Sequence, residues 1–169
     1  ERMPDLVVGD MDSISPAARK RFTGKFVHIA EQDTNDQTKA VTYVVENITE
    51  ITDIYILGGS GEREDHTIGN LSLLMEYARK FRNRIHIEMV SDWSTAFAVT
   101  DTTEISCGIG RSFSLFSPDS SLTIKSKGLE WPTDEVVFDN WWKATLNRAS
   151  EDTVRLEFSH PSVALVILD

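Results

Sequence analysis

The sequence predicts an α/β N-terminal domain, a mostly parallel sheet flanked by helices, followed by an all-β sandwich. Three observations predict it. Short apolar runs alternate with amphipathic helical stretches up to about residue 92. Helical periodicity then stops, and short β-like runs punctuated by Gly and Pro take over. In the first part, each polar or glycine-rich cluster stands just past an apolar run, where open α/β sheets bind ligands. The expected domains are residues 1–92 and 93–169.

Residues 6–8 read as a first strand ending at Gly9. A helix follows Ser15, with Pro16 tolerated in its first turn. Residues 26–29 form a second strand, and the polar loop 33–38 opens a second helix. Ala40, Val41, Val44, Val45 and Ile48 give that helix an apolar stripe. Residues 54–57 are a third strand, closed by Gly58-Gly59-Ser60-Gly61. A long helix spans about 65–81, with Ile68, Leu71, Met75 and Ala78 on one face, and 85–90 is a fourth strand. Beyond it, residues 97–99, 113–116, 122–124, 154–158 and 163–168 read as β-strands, with no Pro/Ser-rich linker between the halves.

The chain has 169 residues, 40% of them hydrophobic, enough for a packed core without disulfides or structural metal. Cys107 stands alone and reads as a small apolar residue in a reducing compartment. The formal net charge of -10 argues against a nucleic-acid or anionic-membrane partner, either of which favours a basic face. It is compatible with small phosphorylated ligands if metal ions neutralise the site. No apolar run reaches membrane-spanning length, and nothing resembles a signal peptide. The opening Glu-Arg-Met-Pro-Asp leads into a strand without an initiator Met, so the chain reads as part of a longer one.

The first cluster is Gly9-Asp10-Met11-Asp12-Ser13. If the strand continues, the Asp10 and Asp12 carboxylates point to one side. Paired hard oxygens suit Mg2+. Alone, the same residues read as a turn with Asp12 capping the next helix.

The second cluster is Gln32-Asp33-Thr34-Asn35-Asp36, then Lys39. Asp33 or Thr34 is the expected helix N-cap, and Asp36 with Lys39 makes an i,i+3 pair worth roughly 0.2–0.5 kcal/mol. The functional alternative sets Asp36 near a metal or hydroxyl and Lys39 on a phosphate oxygen.

The third cluster runs from Gly58 through Gly59, Ser60, Gly61, Glu62, Arg63, Glu64, Asp65 and His66, with Asn70 one turn on. Its glycines let backbone amides approach anionic oxygens, and the loop enters a helix N-terminus. Arg63 offers a fork for phosphate, while Asp65 reads either as metal ligand or as cap. No Gly-Lys-Ser/Thr follows, so this is not a Walker P-loop. Three such loops after three successive strands point to one phosphate-transfer site.

G-D-M-D-S, Q-D-T-N-D-Q-T-K-A and I-L-G-G-S-G-E-R-E-D-H-T-I-G-N-L-S-L-L resemble, in order and spacing, the thiamine pyrophosphokinase family. S-F-S-L-F at 112–116 and G-L-E-W-P at 128–132 resemble its C-terminal β domain. The resemblance implies transfer of pyrophosphate from ATP to thiamine, dependent on Mg2+, by a cytoplasmic homodimer. Residues 1–92 would then be the catalytic, nucleotide- and metal-binding domain, and 93–169 the thiamine-binding and dimerisation domain. It implies that Asp10, Asp12 and Asp65 hold metal, and that Asp36 or Asp65 orients the thiamine hydroxyl. Lys39 and Arg63 would neutralise phosphate. Ser13, Gln32, Asp33, Thr34, Gly59, Ser60, Gly61, His66 and Asn70 would line the nucleotide site. Trp131 and Asn147 would contact thiamine, Trp131 across the dimer, and an aromatic face suits a cationic ring.

Three departures from the family pattern stand out. Glu62 replaces a usual Gly, Asn35-Asp36 a usual Thr-Asp, and Leu146-Asn147 a frequent Ser-Asn. An earlier strand with an Asp-Gly-Gly turn, which the resemblance implies completes the nucleotide site, would lie upstream of Glu1, outside this sequence. The competing readings are a metal-dependent phosphohydrolase, since Asp-x-Asp and Asp-His pairs also mark phosphoesterases, and a non-catalytic nucleotide- or thiamine-binding module.

Overall fold

The computed structural model describes residues 3–81 and 84–169, and the opening Glu1-Arg2 lies outside them. The chain divides into two compact units, the first ending at Ile51 and the second spanning Thr52–Asp169.

The first unit holds β1 (Val7–Gly9), α1 (Pro16–Arg21), β2 (Phe26–His28) and α2 (Asp36–Asn47). β1 and β2 pair in parallel, Val7 opposite Phe26 and Gly9 opposite His28. α1 starts as its sequence predicts: Ser15 is the N-cap and accepts the Ala18 N–H, and Pro16 occupies a first-turn position that needs no donor. α2 packs on β1 and buries Val41, while Ala40, Val44 and Val45 are half-buried and Ile48 is exposed. Its N-cap is Asn35, whose side chain accepts the Thr38 N–H, in place of the expected Asp33 or Thr34. The amides of Asp33 and Thr34 are already taken by the Glu31 carboxylate, at 2.7 and 3.0 Å.

The second unit contains β3 (Asp53–Leu57), α3 (Glu64–Phe81), β4 (His86–Val90), β5 (Thr95–Val99), β6 (Thr103–Ser106), β7 (Ser112–Phe116), β8 (Ile124–Lys127), β9 (Ala144–Arg148), β10 (Thr153–Phe158) and β11 (Ala164–Leu168). A six-stranded sheet has the order β3-β4-β5-β11-β7-β9, and a three-stranded sheet the order β6-β10-β8. One apolar cluster takes residues from both, including Phe113, Leu115 and Val166 from the larger and Ile124, Val154 and Leu156 from the smaller. α3 packs against β4, β5 and β11. β11 is therefore buried on both faces, which explains its unbroken Ala-Leu-Val-Ile-Leu run. Half-buried Cys107 lies against the apolar cluster, and burial pushes its thiol up from the usual range.

The expectation of one mostly parallel N-terminal sheet needs correction: the sheets are mixed. The parallel pairs β1–β2 and β3–β4 belong to different sheets, and β4 continues antiparallel into β5. Ser91-Asp92-Trp93-Ser94 makes that connection, closed by Ser91 N–H on the Ser94 carbonyl at 2.9 Å. So short a turn joins only antiparallel neighbours, because a parallel crossover needs a dozen residues or more.

Candidate functional site

In the first unit the candidate residues gather at the carboxyl end of β1. Asp10 follows the last strand residue, and its Oδ1 accepts the Asp12 N–H at 3.1 Å, closing a turn. Its Oδ2 accepts Lys39 Nζ at 2.9 Å, from the first turn of α2. The Gln32 side chain is a third donor to the same carboxylate. Lys39 keeps only 1% of its side chain exposed, although it carries a charge, and Asp36 Oδ1 lies 3.9 Å from its ammonium. The Lys39 hydrogen bond is the main reason the Asp10 carboxyl is held below its usual range, and the same bond raises the Lys39 ammonium.

A Cβ at Gly9 would lie 2.7 Å from Asp36 Oδ1, so glycine lets that carboxylate settle over the strand end, and a larger residue would turn it aside. Met11 is buried in a left-handed conformation at φ 68°, and its carbonyl accepts Arg19 Nη2 at 2.7 Å. The strand alternation expected to align Asp10 with Asp12 is therefore broken between them, and Asp12 and Ser13 face solvent. Exposed Asp33 and Thr34 are fastened by Glu31, which also accepts the Thr34 hydroxyl; sequence reasoning passed over Glu31. Its signal was local, a carboxylate two and three residues ahead of free amides.

In the second unit the Gly58–Gly61 loop joins β3 to α3. Gly58 and Gly61 have φ values of 72° and 103°. Asn70 Nδ2 donates to the Gly59 carbonyl at 2.9 Å, so the helix braces the loop from behind. The Arg63 carbonyl accepts the first helical N–H, from Thr67, at 2.9 Å. The Arg63 guanidinium grips Asp65 with two hydrogen bonds, Nε to Oδ1 at 3.1 Å and Nη2 to Oδ2 at 2.5 Å. That grip holds the Asp65 carboxyl below its usual range, and Asp65 Oδ1 also accepts the His66 N–H. The loop borders a cavity of about 400 Å³ whose other walls are Leu57, Val90, Ser91, Asp92 and Trp93. Trp93 was not anticipated. It is 86% exposed at the β4–β5 turn, and Ser91 Oγ accepts its N–H at 3.2 Å. A large apolar side chain on a polar turn beside a glycine loop was the available signal.

Trp131 and Asn147 meet in the same unit, around a slot of about 190 Å³ walled also by Pro132, Val136 and Leu146. Trp131 is 59% exposed, whereas Asn147 is buried with its amide turned to the Trp131 backbone.

Among the described residues, no three His, Cys, Asp or Glu side chains gather closely enough to hold a metal ion by themselves. The Asp10 carboxylate is engaged by Lys39 and the Asp12 N–H, while the Asp12 side chain is exposed; Mg2+ needs only one or two such carboxylates and takes its remaining ligands from phosphate and water.

The model of the thiamin pyrophosphokinase catalytic domain matches residues 1–88, and that of the thiamin pyrophosphokinase substrate-binding domain matches residues 95–162. The chain is 31% identical over 170 residues to thiamine pyrophosphokinase 1 of Oryza sativa subsp. japonica, covering 90% of this chain and 62% of that protein. It is 36% identical over 78 residues to thiamin pyrophosphokinase 1 of Caenorhabditis elegans, 44% of this chain and 32% of that one. It thus spans less than two thirds of the length of these curated relatives. Its fold resembles thiamine pyrophosphokinase from Bacillus subtilis with a TM-score of 0.78 at 20% identity, covering 99% of this chain and 79% of that one. The yeast thiamin pyrophosphokinase structure gives 0.73 at 17% identity, with 99% and 70% covered. With a catalytic-domain match over more than half its length, this chain belongs to the thiamin pyrophosphokinase family.

Proposed function

We propose that the chain transfers the pyrophosphoryl group of ATP to the hydroxyl of thiamine, giving thiamine diphosphate and AMP. The observation that carries this reading is the buried Lys39 held by Asp10 at the end of β1, inside the catalytic-domain match. Burial of a cation at a strand end is costly unless it serves a charged ligand or a fixed partner.

The thiamine hydroxyl oxygen attacks the β-phosphorus of ATP, the bond from that phosphorus to the α-phosphate bridging oxygen breaks, and AMP leaves. Such transfer needs alignment and charge neutralisation more than covalent help. Asp10 holds Lys39 in place, and Lys39 neutralises phosphate charge. Asp10 and Asp12 would hold Mg2+, which when bound screens the triphosphate. Asp36, packed over Gly9, orients a hydroxyl. Ser13, Gln32, Asp33 and Thr34 line the same loops. In the second unit the Gly59–Gly61 amides, His66 and Asn70 cradle phosphate and ribose. Arg63 exchanges Asp65 for phosphate, which frees Asp65 as a further metal ligand or hydroxyl acceptor. Trp131 offers its ring face to thiamine.

The expected division at residues 92 and 93 belongs to the same proposal, supported by the separate family models that match residues 1–88 and 95–162. So does a homodimer: Trp131, Val137, Trp142 and Leu146 are large exposed apolar side chains of the second unit, suited to a second copy. So does a cytoplasmic location, which the single cysteine fits, and none of the described helices is long and apolar enough to cross a membrane.

The test is AMP release from Mg-ATP by the full-length protein, with and without thiamine. Thiamine-dependent AMP and thiamine diphosphate are expected. Release that ignores thiamine, or none, would sink the assignment.

A further inference from the structure

We propose that Asn147 is the positioning residue for Trp131, and that the strained Leu146 beside it forms the facing wall of the slot and sets its specificity. The inference rests on reading that slot as the thiamine site.

Asn147 is 8% exposed, and its amide works as an inserted peptide group. Oδ1 accepts the Trp131 N–H at 3.2 Å and the Arg148 N–H at 2.8 Å, while Nδ2 donates to the Trp131 carbonyl at 2.6 Å. Both backbone groups of Trp131 are thus fixed by one side chain. The ladder beside them stays on backbone bonds: Leu129 bridges Ala149, and Glu130 N–H reaches the Arg148 carbonyl at 2.9 Å. The amide takes over where β9 departs from regular geometry. Oδ1 already accepts two N–H groups and one of the two Nδ2 hydrogens is given to Trp131, so a single donor of Asn147 is left for the thiamine contact that the family resemblance suggested.

The departure is a bulge. Between the pairs Phe113–Asn147 and Leu115–Ala144, β9 carries Thr145 and Leu146 against the single Ser114 of β7. Leu146 sits at φ 60°, a conformation costly for a branched side chain, and its N–H donates to Ser114 Oγ at 3.1 Å. The result is a leucine 87% exposed beside a tryptophan 59% exposed, both lining one slot. Strain that presents an apolar side chain to solvent gains nothing for the fold. A flat heteroaromatic cation matches an aromatic and an aliphatic wall, and the ammonium of Lys143, which also lines the slot, is paired with Asp139 at 3.5 Å.

Calorimetric titration of thiamine into the full chain tests this. Asn147→Ala and Trp131→Ala should each weaken thiamine about tenfold, the scale of one desolvated cation–ring contact. The double variant should be no weaker than Trp131→Ala, because Asn147 acts only through that ring. Losses that multiply in the double variant would mean that Asn147 touches the ligand itself, and would overturn the proposal. Leu146→Gly should raise the melting temperature and still weaken thiamine several-fold; unchanged binding would remove Leu146 as a wall. ATP binding should not change in any variant, and a matching loss there would point to general damage and count against the positioning role. If the wild type binds no thiamine, the proposed function and the specificity role of Leu146 fall together. The positioning claim is decided separately by hydrogen exchange at the Trp131 amide, slow in the wild type and fast relative to β10 amides in Asn147→Ala, which loses the Oδ1 acceptor of that amide. Equal exchange would overturn it.

Discussion

Lys39 Nζ lies 2.9 Å from Asp10 Oδ2, and the lysine side chain is almost wholly enclosed. The pair joins the end of β1 to the first turn of α2 across 29 positions of sequence. Its two members shift in opposite directions, Asp10 down and Lys39 up, each chiefly through their shared hydrogen bond. A charge pair fixed this way holds both groups at the end of β1 in one geometry.

The two halves of the pair should not be equivalent on mutation. Asp10→Asn leaves an enclosed ammonium without its carboxylate, whereas Lys39→Met leaves a carboxylate that the Asp12 N–H and Gln32 still satisfy. Both variants should lose turnover, and Asp10→Asn should lower the urea midpoint more. Equal midpoints would show that enclosure of Lys39 carries no penalty.

Asp12 offers a cleaner separation of chemistry from stability. It is exposed, and only its backbone N–H, which an Asn would keep, is bonded to Asp10. Asp12→Asn should reduce kcat by at least about a hundredfold, the scale of one lost electrostatic group, with an unchanged urea midpoint. Activity near the wild-type level would remove Asp12 from the metal site.

The legible parts of this fold were those where one physical effect acts alone. Ala-Leu-Val-Ile-Leu announces β11 because burial on both faces leaves no polar position. Ser15-Pro16 announces α1 because cap and ring constraints are local. Elsewhere two effects compete. β9 escapes notice because its bulge turns Leu146 outward and Asn147 inward, inverting the expected pattern. On α3 the predicted face holds at Met75, which is buried, and at half-buried Leu71 and Ala78, but Ile68 is 55% exposed and Leu74, Tyr77 and Phe81 share the packing. Within the site, spacing disclosed Asp36 as a neighbour of Lys39 but not Asp10, since only the tertiary fold brings β1 to α2. Met11 likewise breaks the alternation on which the paired-carboxylate argument relied.

Asp119 should make one acid-sensitive contribution to the stability of the second unit. Its carboxylate accepts Ser121 N–H at 2.9 Å, Ser121 Oγ at 2.6 Å, Ser162 Oγ at 2.7 Å and His160 Nε2 at 3.1 Å. These bonds, Ser121 Oγ foremost, hold the carboxyl well below the usual range. A depressed folded value means the stabilisation is complete above the ordinary Asp value, near ~4, and fades as pH falls through the folded one. Asp119→Asn should cost about 2 kcal/mol at pH 7, as expected for charge-assisted bonds. The gap between variant and wild type should narrow in strong acid. Urea unfolding across the acid range measures it, and a gap independent of pH would refute the assignment.

Trp93 completes the second-unit cavity and should bear on the nucleotide. Its ring stands beside the glycine loop, and its turn is held closed by Ser91 Oγ, which accepts the amides of both Trp93 and Ser94. Bases stack on such exposed rings with ~1–3 kcal/mol. Trp93→Ala should therefore raise KM for ATP about tenfold, leave KM for thiamine unchanged, and alter kcat little, because the ring stabilises ground and transition states alike. Trp93→Tyr, which keeps a stacking face, should recover most of the loss. Inorganic tripolyphosphate, which has no base, should compete with ATP equally well against wild type and Trp93→Ala after allowance for the change in KM. A tripolyphosphate affinity that falls in parallel with that of ATP would place Trp93 in support of the glycine loop and not against the base.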